Sequence, residues 1–132
     1  MKFERKHYIE KLISSKHNHL IKIVTGLRRV GKSYLLLNLY KQHLLDNDVD
    51  ASHIIEIRLD SFAHRKYRKA ETLYEYVENL AKQDSHMYYV IIDEVQMLKD
   101  FVDVLNGFLH IDNLDVYVTG SNAKFLSSDI VT

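Results

Sequence analysis

The feature that most constrains the fold is a pair of glycines placed between an apolar run and a helical pattern. Residues 20–25 are nearly continuous Leu, Ile and Val with one Lys, as expected of a strand covered on both faces. Residues 32–46 carry apolar side chains spaced for a broad, buried helix face. Gly26 and Gly31 permit a tight loop between the two without Cβ clashes. A strand, a short glycine loop and a helix in this order indicate the first unit of an α/β fold.

The spacing within this loop is specific. Residues 26–33 read Gly-Leu-Arg-Arg-Val-Gly-Lys-Ser and fit G-x-x-x-x-G-K-[ST], the P-loop whose backbone amides and helix N-terminus hold phosphates. Lys32 is expected to reach the β- and γ-phosphates of a nucleotide, and the Ser33 hydroxyl to ligate Mg²⁺. The alternative is a glycine turn without a ligand. The predicted nucleotide-binding residues are Gly26, Leu27, Arg28, Arg29, Val30, Gly31, Lys32, Ser33 and Tyr34.

An acidic pair follows one strand–helix unit beyond the P-loop. The apolar residues 88–92 read as a third strand, which ends in Asp93 and Glu94, the arrangement of a Walker B element. Asp93 is expected to hold Mg²⁺ through water, with Ser33 as the other metal ligand. Glu94 is placed to act as the general base on the attacking water. Because strands commonly end in acidic turns, the position of this pair after a P-loop is what favours a catalytic site.

A fourth predicted strand, at residues 116–118, ends in Thr119, Gly120, Ser121 and Asn122. A polar side chain here would lie between the two strands that carry the phosphate site, where it could bond the γ-phosphate or position the water. Ser121 and Asn122 are the better candidates, and Asn122 is assigned the catalytic role, whereas Thr119 can instead turn inward. The alternative is a polar turn with an Asn in the left-handed conformation.

The remaining apolar patterns also alternate between strand and helix, which predicts parallel βαβ units with right-handed crossovers. They predict a short helix over 7–15, a partly alternating, edge-type strand over 53–59, a helix that begins at a capping box in Thr72–Glu75, and a third helix striped from Phe101 to Leu109. A chain of 132 residues is long enough for one domain with a real core.

Composition excludes several classes of function. The formal net charge is zero, with 18 basic and 18 acidic residues, so the overall charge does not indicate a nucleic-acid or membrane-surface protein. No apolar run is long enough to span a bilayer. There is no Cys, hence no disulfide framework and no thiolate chemistry, which agrees with a reducing, cytoplasmic location. The basic segment 64–69 contains Tyr67 and could bind nucleic acid, but such runs are more often solvated loops.

Three stretches together resemble one group of proteins. They are the P-loop at 26–33, Ile-Ile-Asp-Glu-Val-Gln at 91–96 and Tyr-Val-Thr-Gly-Ser-Asn-Ala-Lys at 117–124. In these stretches the chain is similar to the AAA-like P-loop ATPases of bacteria and archaea. The resemblance implies a three-layer ATPase core with a parallel sheet in the order 5-1-4-3-2, with ATP and Mg²⁺ as ligands. It also implies the roles given above for Lys32, Ser33, Asp93 and Glu94.

The chain also differs from this group, in its length and in its arginines. Members of the group continue for a few hundred residues, so residues 1–132, with an N-terminal helix at 6–15, are expected to be a truncated ATPase domain that lacks strand five. Strand one would then be an apolar sheet edge, which predicts self-association through strand one or its helix. No Arg follows Arg68, and a charge-stabilising arginine can be worth several orders of magnitude in the rate of phosphoryl transfer. Hydrolysis by this chain alone is therefore expected to be weak.

The sequence leaves three functions open. The leading hypothesis is an ATP–Mg²⁺-binding ATPase domain. A small-molecule kinase also uses a P-loop, but an Arg-rich lid is not visible and Glu94 favours activation of water. The third is a decayed P-loop module that binds protein or nucleic acid without turnover. Asn-Lys-x-Asp does not follow the P-loop, which favours ATP over GTP only weakly.

Overall fold

All strands of the sheet are parallel and follow the order β2–β3–β4–β1–β5. The computed structural model of the chain describes residues 2–25, 29–120 and 130–131, with only the backbone described at 2–5, 29–30 and 130–131. The strands are β1 (Lys22–Val24), β2 (Ile54–Arg58), β3 (Tyr88–Asp93), β4 (Leu114–Thr119) and β5 (Ile130–Val131). The order 5-1-4-3-2 expected from the resemblance is confirmed, and β2 lies at an edge as its partial alternation predicted.

Helices connect the first four strands, as parallel neighbours require. Helix α1 (Lys2–Ser14) precedes β1, and the connecting helices are α2 (Arg29–Tyr34), a π-helical segment (Leu35–Tyr40), α3 (Lys41–Asp46), α4 (Ala70–Ala81) and α5 (Phe101–Phe108). Short 3₁₀ segments lie at Ala51–His53, Phe62–Arg68 and Val95–Met97.

The sheet is covered on both faces, and this explains its continuous apolar strands. In β3, Tyr88, Val90 and Ile92 belong to a core shared with α4 and α5. Tyr89 and Ile91 point the other way, into a core shared with α1 and with the helix that follows the P-loop. Successive side chains of a strand alternate between faces, so both sets are buried only because helices lie on each side. The three-layer α/β prediction is confirmed.

The helix after the P-loop continues from α2 to α3 through a six-residue π-helical turn, Leu35–Tyr40. Leu35, Leu36 and Tyr40 are fully buried in it, and Leu37 is nearly so. This helix lies between the sheet and Leu12 of α1, so apolar side chains are buried over much of its circumference. The sequence predicted the wide apolar face but not the π-helical backbone.

The expected absence of strand five is wrong. Ile130–Val131 forms a two-residue strand that pairs in parallel with β1, with Ile23 opposite Ile130 and Val24 opposite Val131. Two consecutive β-branched residues favour a strand here. Strand β1 therefore has a partner on each side, β4 and β5. The argument for self-association through an open β1 edge loses its premise.

Three helix starts also differ from the prediction. The P-loop helix α2 begins at Arg29, three residues before the predicted start. Helix α4 begins at Ala70 after Lys69, which has no side-chain cap, so the expected capping box at Thr72 lies inside the helix. The bond from the Leu73 amide to the Lys69 carbonyl, at 3.1 Å, already belongs to its first turn. Helix α1 starts at Lys2, several residues before the predicted start, because the single apolar residue of its first turn, Phe3, does not form a helical pattern. The basic segment 64–69 is largely 3₁₀ helix instead of loop.

Candidate functional site

The polar residues that end β3 and β4 meet beside the first turn of the P-loop helix. The parallel register places Ile92 opposite Val118, and Val24 opposite Thr119, so the carboxyl ends of β1, β3 and β4 lie together. In open parallel sheets this edge is the usual position of a ligand site. Asp93, Glu94 and Thr119 are all buried at this edge.

Ser33 and Asp93 are in direct contact. The Ser33 hydroxyl lies 2.9 Å from Oδ1 and 3.0 Å from Oδ2 of Asp93, to which it donates. A hydroxyl and a carboxylate at this separation offer the hard oxygen atoms that Mg²⁺ prefers. Mg²⁺ keeps several waters and usually takes one or two protein carboxylates plus substrate phosphates, so a set this small suits it. The donor atoms of Ser33 and Asp93 therefore fit a nucleotide-bound magnesium ion.

Thr119 holds the Asp93 carboxylate in place. Its fully buried hydroxyl donates to Asp93 Oδ1 at 2.6 Å and accepts from the Glu94 amide at 2.9 Å. One side chain thus fixes both residues of the acidic pair. The sequence placed Thr119 at the right strand end and allowed it to turn inward, but it gave the functional role to the residues after it.

Glu94 adopts a left-handed backbone conformation, with φ 59° and ψ 53°. Non-glycine residues held there cost about 1–3 kcal/mol and cluster at functional sites. The turn leads at once into the 3₁₀ segment Val95–Met97. The Glu94 side chain is 6% exposed, and its Oε1 accepts from Gln96 Nε2 at 2.7 Å. Gln96, which sequence reasoning did not single out as a functional residue, therefore orients the proposed base.

Lys32 points back to the end of β4. Its Nζ donates to the Gly120 carbonyl at 3.0 Å, and Gly120 is joined to β1 by a 3.4 Å bond from its amide to the Val24 carbonyl. Within residues 2–25 and 29–120, no carboxylate forms an ion pair with the Lys32 ammonium. An ammonium group interacts more strongly with an anion than with a neutral carbonyl, so this position of Lys32 agrees with a phosphate-binding role.

A cavity of about 470 Å³ opens beside the Ser33–Asp93 contact, towards β2. Arg58, directly opposite Asp93 in the sheet register, contributes to its wall. Glu56 holds Arg58 through Nε at 2.9 Å and Nη2 at 2.8 Å, and it also binds Lys41 at 2.9 Å. Burial raises the pKa of Glu56, but the bonds from Lys41 and Arg58 outweigh it, so the net shift is downward. The cavity is lined by Ser33, Tyr34, Leu37, Asn38, Arg58, Asp60 and Asp93.

The structure brings together four of the predicted site residues: Lys32, Ser33, Asp93 and Glu94. Gly31 and Tyr34 lie in α2, and Tyr34 is 40% exposed beside the cavity. Arg29 and Val30 form the start of α2, and their side chains are not described. The predictions for Gly26, Leu27, Arg28, Ser121 and Asn122 lie outside the described residues.

Replacing Thr119 with valine is expected to lower the free energy of unfolding by about 1–3 kcal/mol, since it removes the acceptor of a buried amide and one of the two donors to a buried carboxylate oxygen. Urea denaturation measures the change. Thr119→Ser keeps the hydroxyl and loses one methyl group, which costs about 0.8 kcal/mol. Equal losses in the two variants would contradict a role for the Thr119 hydroxyl in holding Asp93 and Glu94.

Comparisons with known proteins identify the family of the chain. A family model described as an AAA domain matches residues 18–132. An uncharacterised protein of Haemophilus influenzae is 29% identical over 128 residues, which cover 97% of this chain and 32% of that protein. An uncharacterised protein of Methanocaldococcus jannaschii is 28% identical over 126 residues, which cover 92% of this chain and 25% of that protein. The chain thus spans about a third or less of the length of these curated relatives.

A solved structure, that of C. elegans PCH-2, superimposes with a TM-score of 0.57 at 17% sequence identity, covering 95% of this chain and 37% of that one. At this identity the match shows the fold alone. Within the two long described stretches, 2–25 and 29–120, none of the helices has the length and apolarity needed to cross a membrane. Because the AAA family model matches most of the sequence, and the sheet has the order expected for such a core, the chain belongs to the AAA-domain family of P-loop ATPases and is a nucleotide-binding module of that kind.

Proposed function

We propose that the chain binds ATP with Mg²⁺ and hydrolyses it slowly. The observation that carries this proposal is the contact of the Ser33 hydroxyl with both oxygens of Asp93, at 2.9 and 3.0 Å. These are the two side chains to which the P-loop and Walker B patterns independently assign the metal. They are 60 residues apart in sequence, so their contact supports the two assignments together.

Each residue of the site has a distinct task in this proposal. Lys32 exchanges the Gly120 carbonyl for the β- and γ-phosphates, while Ser33 and Asp93 hold the metal on the same side. Mg²⁺, when bound, neutralises the charge that develops on the phosphate oxygens. Glu94 accepts the proton of the attacking water, and Gln96 keeps its carboxylate oriented. Asn122 retains its predicted role in positioning that water.

We expect slow turnover from the state of an arginine that lies beside the proposed metal site. A charge-stabilising arginine accounts for about 10³–10⁵ in the rate of related phosphoryl transfers. Arg58 borders the cavity next to Ser33 and Asp93, but two bonds to Glu56 hold its guanidinium. With that cation engaged elsewhere, we expect the chain to turn over slowly on its own.

A direct test is phosphate release from ATP by the purified chain, in Mg²⁺ and in EDTA. We expect slow release that depends on Mg²⁺. No release above the Lys32→Ala background, even in single-turnover conditions, would contradict hydrolysis and leave the decayed, non-hydrolysing module in its place.

A kinase reaction is the second candidate, favoured by one observation. The cavity of about 470 Å³ beside Ser33 and Asp93 is large enough for a small acceptor, with Arg58 and Asp60 as polar groups in its wall. Incubation with pooled small-molecule acceptors distinguishes the two reactions. Hydrolysis yields ADP and free phosphate in equal amounts, whereas a kinase yields ADP in excess of free phosphate.

Replacing Asp93 with asparagine is expected to raise the Mg²⁺ concentration needed for half-maximal ATP binding by at least about tenfold, since water-mediated and outer-shell metal contacts are worth about 10–100-fold in affinity. Titration of Mg²⁺ at fixed ATP, followed by the shift in melting temperature, measures this. Asp103→Asn, on the exposed face of α5, is the matched control. An unchanged Mg²⁺ requirement in Asp93→Asn would exclude Asp93 from the metal site.

Self-association and a cytoplasmic location stay predictions. The first no longer has an open β1 edge to support it, and sedimentation velocity over a range of concentrations tests it directly. Residues 1–132 serve in this proposal as one nucleotide-binding unit, whose cellular process is not specified by the site.

A further inference from the structure

The 3₁₀ segment after β2 presents an aromatic ring and several cations to solvent. Phe62, its first residue, is 75% exposed, the largest exposed fraction among the large apolar side chains described. Residues 62–69 contain His64, Arg65, Lys66, Arg68 and Lys69 and no acidic residue. We call residues 62–69 the basic–aromatic platform. Its charge contrasts with the zero net charge of the whole chain.

Two cations of the platform, Arg65 and Lys66, lie over rings instead of pairing with carboxylates. The Arg65 guanidinium is 4.1 Å from the centre of the Phe62 ring, and Lys66 Nζ is 5.2 Å from that of Tyr67. In the part of the chain that the structure describes, the ion pairs do not include any basic residue of the platform. The positive charge of Arg65 and Lys66 is thus available to an anionic partner.

The platform is held firmly to the sheet. The Arg58 amide donates to His64 Nδ1 at 2.9 Å, and Arg68 Nε donates to the Leu59 carbonyl at 2.7 Å. The Arg68 carbonyl in turn accepts from the Lys99 amide at 2.9 Å. A surface fixed in this way loses little conformational entropy when it binds a partner.

We propose that the basic–aromatic platform binds single-stranded nucleic acid. A base stacks on the face of the Phe62 ring opposite Arg65, while Arg65, Lys66 and Lys69 contact the flanking phosphates. Aromatic stacking combined with a cationic surface is the general chemistry by which proteins hold single strands, and it requires unpaired bases. This binding is separate from nucleotide binding at Ser33 and Asp93 and does not depend on it.

Two other anionic partners fit the platform less well. A duplex keeps its bases stacked, so the Phe62 ring would gain nothing from it. A membrane surface attracts the same cations, but interfacial binding grows with buried apolar area, and Phe62 is the one exposed large apolar side chain among residues 62–69. The single strand is the partner that uses both the ring and the charges.

Fluorescence anisotropy of a labelled 20-nucleotide single strand, titrated with the full 132-residue chain in 50 and 200 mM KCl, tests the proposal. We expect binding that weakens with salt. Phe62→Ala should weaken it by about 5–150-fold, the range for one base stacked on an aromatic ring. Phe62→Trp should retain it. Arg65→Ala/Lys66→Ala should reduce the slope of log affinity against log salt by about 1.4, since each phosphate contact on a single strand contributes about 0.7.

The control removes the same charge from the opposite face of the sheet. Lys6→Ala/Lys11→Ala changes two exposed lysines of α1, which packs in the other core through Leu12. This variant should bind the strand like the parent chain. The proposal is overturned if the parent chain fails to bind at low salt, if the platform variants bind as tightly as the control, or if a duplex or phosphatidylserine vesicles bind equally well through the same residues.

Discussion

Replacing Glu94 with glutamine is expected to lower the rate of ATP hydrolysis by about 10²–10⁴-fold, the contribution of a positioned general base. The amide has the same size and can still accept the bond that Gln96 Nε2 donates to Glu94 Oε1. It cannot take a proton from water. Binding of Mg-ATP should change little, because the phosphate and metal contacts are proposed to lie on Lys32, Ser33 and Asp93.

Phosphate release under single-turnover conditions measures this effect even if the parent chain is slow. Glu75→Gln, on the exposed face of α4, makes the same chemical change away from the site. A rate for Glu94→Gln within twofold of the Glu75→Gln control would show that Glu94 is not the base.

Replacing Lys22 with methionine is expected to lower the free energy of unfolding by about 3–5 kcal/mol, because it leaves a buried carboxylate without its counter-charge. Lys22 Nζ lies 2.5 Å from Asp115 Oδ1, and the two residues are 1% and 2% exposed. The other oxygen of Asp115 accepts from the His17 amide at 3.1 Å and from the Tyr117 hydroxyl at 2.6 Å. Urea denaturation with a linear extrapolation measures the loss.

The double variant Lys22→Met/Asp115→Asn separates charge from packing. The amide removes the uncompensated charge and can still accept from the His17 amide. This variant should therefore be more stable than Lys22→Met alone. If the double variant is no more stable than Lys22→Met, the stability lost in Lys22→Met does not come from an uncompensated Asp115 charge. A cost of less than about 1 kcal/mol for Lys22→Met would also contradict the loss expected when one partner of a buried ion pair is removed.

The same network ties the P-loop helix to the sheet. Tyr117 and Tyr40 join through their hydroxyls at 2.5 Å, and Tyr40 is the last residue of the π-helical segment. Burial, reinforced by the Asp115 charge, raises the pKa of Tyr117 far above its ordinary value. Burial also raises the pKa of Tyr40. Both phenols therefore stay protonated and can act as hydrogen-bond donors throughout the physiological pH range.

Short sequence patterns predicted those candidate site residues whose position is set by the strand or helix in which they lie. The P-loop spacing places Lys32 and Ser33 at the start of a helix, and the apolar run before Asp93 places it at a strand end. The order of the sheet came from the family resemblance. Once that order is known, the ends of β1, β3 and β4 must meet.

Contacts between distant residues could not be predicted in this way. Lys22 was visible as the one charged residue in an apolar strand, but its partner Asp115 lies 93 positions away and depends on the register between β1 and β4. Thr119 could equally have faced solvent. Arg58 ends β2, and its position opposite Asp93 depends on the pairing of β2 with β3. The residues of β2 alone do not predict that pairing, so Arg58 was not predicted to border the site.

The central claim is that Lys32, Ser33 and Asp93 form one Mg-ATP site. Calorimetric titration of the chain with ATP in Mg²⁺ tests it most directly, with Lys32→Ala as the paired variant and EDTA as the metal control. We predict one nucleotide bound per chain, loss of binding in EDTA, and affinity for Lys32→Ala lower by at least about 30-fold, the effect of removing one partner of a buried charge contact. Binding of ATP that is equally tight without Mg²⁺ or in Lys32→Ala, or no heat of binding at millimolar ATP, would contradict the claim.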